Sequence, residues 1–315
     1  MPKSIQVAGC LNEIYTSETS LSDPMSESAP TTLRPLKVAA ISNKNLFGDL
    51  EANLAGHEMW IERALNEGAQ FIGFPECSLT GYVRDGQHAI TLTSRPVRRI
   101  AELAREHDVF IGVGLNERRN GKVFNSSAVY GPDGLAGVMR KVNCIKAESS
   151  FYTSGDKFPV IDVAGWKMGI AICADATFFE MFRIPFLRGA QVLFAPHANT
   201  LKFMGNTAAG WKRWRLPTWR RFLQDSPVYI VGCNNAGLFE KKRANDEETA
   251  FCSGGMIMSP DGEVLNHVKG RTKRERMIIG TLDPASLMPG PHCELLRANT
   301  LYGNKGGWSL GWDGV

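Results

Sequence analysis

Six short apolar runs constrain this chain more than anything else in it: LKVAAIS (36–42), QFIGF (70–74), VFIGVGL (109–115), the stretch 167–172 that leads into Cys173, QVLFAP (191–196) and VYIVGCN (228–234). Runs of this length with apolar residues on both faces fit strands covered on both sides. Helical patterns separate them. DLEANLAGHEMWIERALNEGA places Leu50, Leu54, Ile61 and Leu65 on one helical face, with Gly68 as its stop. VRRIAELAREH, a short segment from about Phe178 to Arg188 and a longer one over roughly 208–224 read as further helices. Strand–helix alternation of this kind points to an α/β layer fold. Asn120-Gly121, Asp133-Gly134 and Asp261-Gly262 sit between β-rich runs and signal hairpins, so the sheets are expected to be mixed.

A chain of 315 residues has ample material for one core. Residues 12–35 are rich in Ser, Thr, Glu and Pro without apolar periodicity. The expected organisation is therefore a flexible N-terminal arm over 1–35 and one domain over 36–315. The Gly-rich YGNKGGWSLGW is followed by no helix, so it is no phosphate loop and reads as a C-terminal tail packed on a partner subunit.

Net charge is +4 with no long basic block, which does not suggest nucleic acid as a partner. No apolar stretch approaches the roughly 18 residues that span a bilayer. Val7-Ala8-Gly9-Cys10 looks like a lipoprotein cleavage box but has no apolar segment before it, and reads as chance. The seven cysteines are scattered, with no CxxC pair and no Cys/His cluster at metal-ligand spacing. Reduced thiols in a cytoplasm, and no metal, are expected.

Three polar residues end apolar runs: Glu76 after FIGFP, Lys141 after LAGVMR and Cys173 after MGIAI. Reactive groups of α/β proteins gather at the carboxyl ends of strands. A carboxylate can take the proton of an attacking thiol, and an ammonium can stabilise the thiolate and the oxyanion formed on the attacked carbonyl. The Ala174 N–H, at the turn after the strand, is a candidate second oxyanion donor. Each position also has a plainer reading: a core thiol, a solvated acid in a turn, an exposed lysine on a hairpin rim.

Taken together, the residues resemble the nitrilase, or carbon-nitrogen hydrolase, superfamily from about Leu36 to about Pro284. FIGFPECSLTGY resembles the family's first block and maps Glu76 onto the general base. GPDGLAGVMRKVNCIKAESSFYTSGD resembles the second; it maps Lys141 onto the catalytic lysine and Glu148 onto a second acid beside it. GIAICADATFFEMFR resembles the third and maps Cys173 onto the nucleophile. FCSGGMIMSPDGEVL resembles a further block. The resemblance implies a four-layer αββα sandwich with two mixed central β-sheets, a homodimer or higher homo-oligomer, and cysteine thioester chemistry without a cofactor. Cys-Ala-Asp in place of Cys-Trp-Glu favours an amidase-type member acting on a small linear amide or N-carbamoyl compound. A nitrilase and a non-catalytic scaffold relative are the alternatives. The paired arginines that follow the cysteine in N-carbamoyl-D-amino acid hydrolases are absent, with Thr177 and Phe178 there instead.

Tyr82, Phe151, Thr177, His197 and Asn199 are candidate substrate contacts, and for most of them ordinary packing or loop hydrogen bonding is the competing reading. WKRWRLPTWRRF (211–222) interleaves five basic residues with aromatics, and Pro217 interrupts it. It is expected to form a helical surface beside the site or at a subunit contact, where Arg213, Arg215 or Arg220 could attract an acidic substrate. The mixed-charge stretch 240–249 reads as a solvated loop.

Overall fold

The structure is a computed structural model and describes residues 33–82, 86–200, 208–239, 249–269 and 274–287. The expected N-terminal arm lies almost wholly outside these residues. The C-terminal tail and most of the mixed-charge loop do too.

In chain order the elements are β1 (Leu36–Ser42), α1 (Leu50–Asn66), β2 (Phe71–Gly73), α2 (Arg95–Glu106), β3 (Phe110–Arg119), β4 (Lys122–Gly131), β5 (Gly134–Arg140), β6 (Val160–Val163) and β7 (Trp166–Ile170). Then come α3 (Glu180–Leu187), β8 (Val192–His197), α4 (Ala208–Asp225), β9 (Tyr229–Asn234), the short pair β10 (Leu238–Phe239) and β11 (Thr249–Ala250), β12 (Gly255–Met258), β13 (Val264–His267) and β14 (Arg276–Leu282). One six-stranded sheet runs β14-β1-β2-β3-β4-β5 and the other β13-β12-β9-β8-β7-β6. Each has two parallel pairings at its centre, β1-β2-β3 and β7-β8-β9, flanked by antiparallel strands.

Alternation along β1 shows why the layers form. Val38 and Ala40 join a core with residues of the second sheet, including Phe194, Val231 and Ile257. Their neighbours Ala39 and Ile41 join another core with Ile61, Ala64, Ile100 and Leu103 of α1 and α2. Period two in a strand covered on both sides requires this split. The outer face of the second sheet is covered by Phe182 and Phe186 of α3 and Trp211, Trp219 and Phe222 of α4. The result is the expected αββα sandwich with two mixed sheets. Among the described residues no helix is long and apolar enough to cross a membrane.

The hairpins fall where expected. Asn120 and Gly121, both at positive φ (49° and 74°), join β3 to β4. Two helices differ from expectation. The buried face of α1 is Asn53, Leu54, His57, Trp60, Ile61 and Ala64, while Leu50 and Leu65 are only half-buried. Pro217 does not interrupt the basic aromatic stretch: α4 runs through it. A proline inside a helix costs about 3 kcal/mol or more, and burial of Trp211, Trp219 and Phe222 offsets that. Those aromatics pack inward, so much of this segment is core rather than surface.

Candidate active site

Glu76 stands on the turn that follows β2. The turn lies hard against Gly114 of β3, where a Cβ would come 2.3 Å from Cys77 N and 2.4 Å from Pro75 O. Cys77 takes a positive φ of 52° there. Ser78 Oγ accepts from Gly114 N at 3.2 Å and hydrogen-bonds His57 Nε2 of α1 at 3.0 Å, and Asn235 Nδ2 donates to Glu76 O at 3.0 Å. This accounts for the polar residues on the buried face of α1, since His57 braces the Glu76 turn. Burial lowers the pKa of His57 to about 4, partly opposed by its hydrogen bond to Asn53 O, so it braces as a neutral ring.

Lys141 directly follows β5. Its N–H donates to Asn125 O and its carbonyl accepts from Gly155 N, both at 2.8 Å. The ammonium Nζ donates to Glu76 Oε1 at 2.7 Å and to Glu148 Oε1 at 2.8 Å. Glu148 also accepts from Tyr82 OH at 2.7 Å and Ile145 N at 2.9 Å. Asn125 Nδ2 donates to Glu76 Oε1 at 2.7 Å, while the buried Glu76 Oε2 has no partner among the described residues.

Cys173 lies three residues beyond β7, at a positive φ of 51°. A non-glycine residue in this region is strained and points to a functional constraint. Its N–H donates to Pro196 O at 2.9 Å, and its sulfur accepts from Asn199 Nδ2 at 3.3 Å. Ala174 opens a short 3-10 turn, and its N–H has no partner among the described residues. Asp175 ties this turn to the Lys141 loop by accepting from Asn143 N at 2.7 Å and Asn143 Nδ2 at 2.9 Å.

Cys173 keeps 9% of its surface, while Glu76 and Lys141 keep 1% each. Burial, reinforced by Glu76 and opposed by Lys141 and Arg215, pushes the Cys173 thiol up to about 12. Burial also raises Glu76, with Lys141 opposing and Glu148 reinforcing the rise. Burial works against the charge on Lys141, yet Glu76, Cys173 and Glu148 together hold its pKa well above the usual lysine range. The resting site therefore holds a neutral thiol and a firmly protonated amine, and a nearby carboxylate has one oxygen to spare.

The structure thus brings Glu76, Lys141, Glu148 and Tyr82 into direct contact, and Asn199 onto Cys173. Thr177 Oγ1 donates to Ala174 O at 2.6 Å. Phe151 is 44% exposed. His197 is fully buried, with ring centroids 5.3 Å from Trp211 and 5.9 Å from Trp219. Asn125 was not legible as a site residue: it is one polar position on β4 in a run of others, and only pairing with β5 puts it beside Lys141. Among the described residues no group of three or more His, Cys, Asp or Glu is placed to hold a metal.

The carbon-nitrogen hydrolase family model matches residues 37–289. The chain is 30% identical over 220 residues to omega-amidase NIT2 of Xenopus tropicalis, covering 65% of this chain and 74% of that one. It is 28% identical over 238 residues to a nitrilase of Pyrococcus abyssi, covering 73% and 84%. In fold it is similar to Nit3 of Saccharomyces cerevisiae, a member of branch 10 of the nitrilase superfamily, with a TM-score of 0.67, 24% identity and coverage of 81% and 92%. With a match over most of its length, this chain belongs to the carbon-nitrogen hydrolase family.

Proposed function

We propose that the protein hydrolyses a carbon–nitrogen bond other than a peptide bond, in a small linear amide or N-carbamoyl compound, through a thioester on Cys173. The observation that carries this reading is the shared lysine: Lys141 bridges Glu76 and Glu148 and leaves Glu76 Oε2 unpartnered, and both Glu76 and Lys141 are near enough for their charges to act on the thiol of Cys173, which holds a positive φ.

Because the thiol is neutral at rest, attack requires a base. Glu76 takes the Sγ proton as sulfur bonds to the carbonyl carbon, and the carbonyl π pair moves onto oxygen. Lys141 Nζ and the Ala174 N–H hold that oxyanion, the donors being fixed before charge develops. Collapse breaks the C–N bond, and the proton on Glu76 goes to the leaving nitrogen, which departs as ammonia. Water then gives its proton to Glu76 and attacks the thioester; the C–S bond breaks and sulfur recovers the proton. Glu148 keeps Lys141 charged and oriented throughout. The omega-amidase relative supports an amide substrate. The nitrilase relative keeps a nitrile as the second reading.

The test is ammonia release by the purified protein from a panel of short amides, N-carbamoyl compounds and nitriles. Cys173→Ala should lower the rate by about 10⁴-fold or more, as loss of a nucleophile does elsewhere. Turnover that survives this substitution would remove the reading.

A further inference from the structure

Asn199 lies two residues beyond β8, and its side chain meets three partners. Its Oδ1 accepts from Trp211 Nε1 at 3.0 Å and from Arg215 Nη2 at 3.1 Å. Indole and guanidinium nitrogens donate and do not accept. They therefore fix which end of the carboxamide is oxygen. The other end, Nδ2, donates to Cys173 Sγ at 3.3 Å. Sulfur is the acceptor in this contact, so its own proton points elsewhere and is open to a base.

The surroundings hold this orientation. Trp211 and Arg215 are both buried on α4. Trp211 stands edge-on to Trp219 with ring centroids 5.6 Å apart, and the guanidinium lies over the Trp214 ring, 4.4 Å from its centroid. The last residue of β9 clamps the backbone: Asn199 N–H donates to Asn234 Oδ1 at 2.6 Å, and Asn199 O accepts from Asn234 Nδ2 at 3.0 Å. A turned-over carboxamide would set its NH₂ against two donors. A cation on the amide oxygen also polarises the group and makes Nδ2–H a stronger donor. The Cys173 N–H is tied to Pro196 O, so one strand end holds the cysteine by its backbone and by its sulfur. The Ala198 N–H acts on the same sulfur and favours its charged form.

We propose that Asn199 is a positioning residue for the nucleophile: it aims the Cys173 sulfur and stabilises the charge that sulfur gains as its proton leaves, with Trp211 and Arg215 fixing the carboxamide in its donating orientation. A donor aimed at sulfur favours the thiolate over the thiol. This rests on the proposed hydrolysis and adds to it a part that Glu76 and Lys141 do not supply. In this role Asn199 serves the sulfur and not the substrate.

The experiment follows iodoacetamide labelling of Cys173 from pH 7 to 10, read by peptide mass spectrometry, in wild type, Asn199→Asp and Asn199→Leu. Asn199→Asp keeps an acceptor for Trp211 and gives Arg215 a counter-ion, so its melting temperature should equal or exceed that of wild type. The atom beside sulfur, however, no longer donates. Asn199→Leu removes the donor without adding charge, and Asn199→Ala replaces it if the leucine variant does not fold. Each variant should label at least about tenfold more slowly at every pH, the scale of one hydrogen bond to an ionised group. A merely structural asparagine gives the opposite pattern: lower stability, with labelling unchanged or faster as the site loosens. Wild-type labelling in Asn199→Asp, or in the folded uncharged variant, overturns the proposal. In hydrolysis of a short amide, kcat should fall by a similar factor while KM stays within about twofold. A raised KM at unchanged kcat makes Asn199 a substrate contact and also overturns it. If no amide is hydrolysed but labelling slows as stated, the role at the sulfur stands and the proposed reaction falls. If amides are hydrolysed and labelling does not change, the reaction stands and the role of Asn199 falls.

Discussion

At Cys173 the environment that holds the proposed nucleophile also suppresses it. Burial and the neighbouring Glu76 push its pKa up to about 12, against Lys141 and Arg215. At pH 8 only about one such thiol in 10⁴ is ionised, against about a quarter for an unperturbed cysteine. Labelling of Cys173 by iodoacetamide, followed by peptide mass spectrometry, should rise about tenfold per pH unit from 7 to 10. An ordinary exposed thiol levels off above about pH 8.5. A plateau at Cys173 below pH 9 would show the thiolate to be far better stabilised than this site allows, and would make a carboxylate base unnecessary. The residue types at the ends of the apolar runs were readable in the sequence. Their protonation states were not, because those follow from who shares the cavity.

Among the elements, β3 determines the aim of Glu76. Gly114 has no Cβ, and the Pro75–Cys77 turn occupies the space one would fill. Gly114→Ala forces that turn outward. The expected cost is about 1–3 kcal/mol by urea denaturation, as for other overpacked sites. Displacing Glu76, the proposed base, should cost about 100-fold in kcat, the usual result of a misplacement near 1 Å. Full activity in that variant would mean that the turn need not touch β3. Sequence periodicity found α1 and its capping glycine but misjudged its buried face. Asn53 and His57 are polar, and a hydrophobic pattern does not count residues that are buried to brace a loop. Pro217 misled for the converse reason: a local rule about helices yields where tertiary burial on α4 outweighs the lost hydrogen bond.

For the whole molecule, the two sheets must hold their spacing if three strand ends are to meet. Phe194 of β8 fills the interface at its centre, edge-on to Phe71 at 5.2 Å and pressed against Gly73 and Gly112 of the first sheet. Its strand also carries Pro196, whose carbonyl fixes the backbone of Cys173. Phe194→Ala should cost about 3–5 kcal/mol in stability, read as a lower urea midpoint with an unchanged slope. A loss below about 1 kcal/mol would show that the sheets close over the gap, and that the interface is less rigid than its packing indicates.

Apolar runs, hairpin dipeptides and the order of the Glu, Lys and Cys blocks are local properties, and the sequence by itself determined from them the layered α/β fold and the candidate site residues. Which oxygen of Glu76 is spent and which is left open, the bracing by His57, the role of Asn125 and the unpaired guanidinium of Arg215 were decided only by the tertiary structure. The contacts concerned join residues 16 to 159 positions apart, from Arg215–Asn199 to Asn235–Glu76. Hydrogen bonds depend on distances of a few tenths of an ångström between groups on different elements, and no pattern along one chain encodes such a distance until the two sheets have packed.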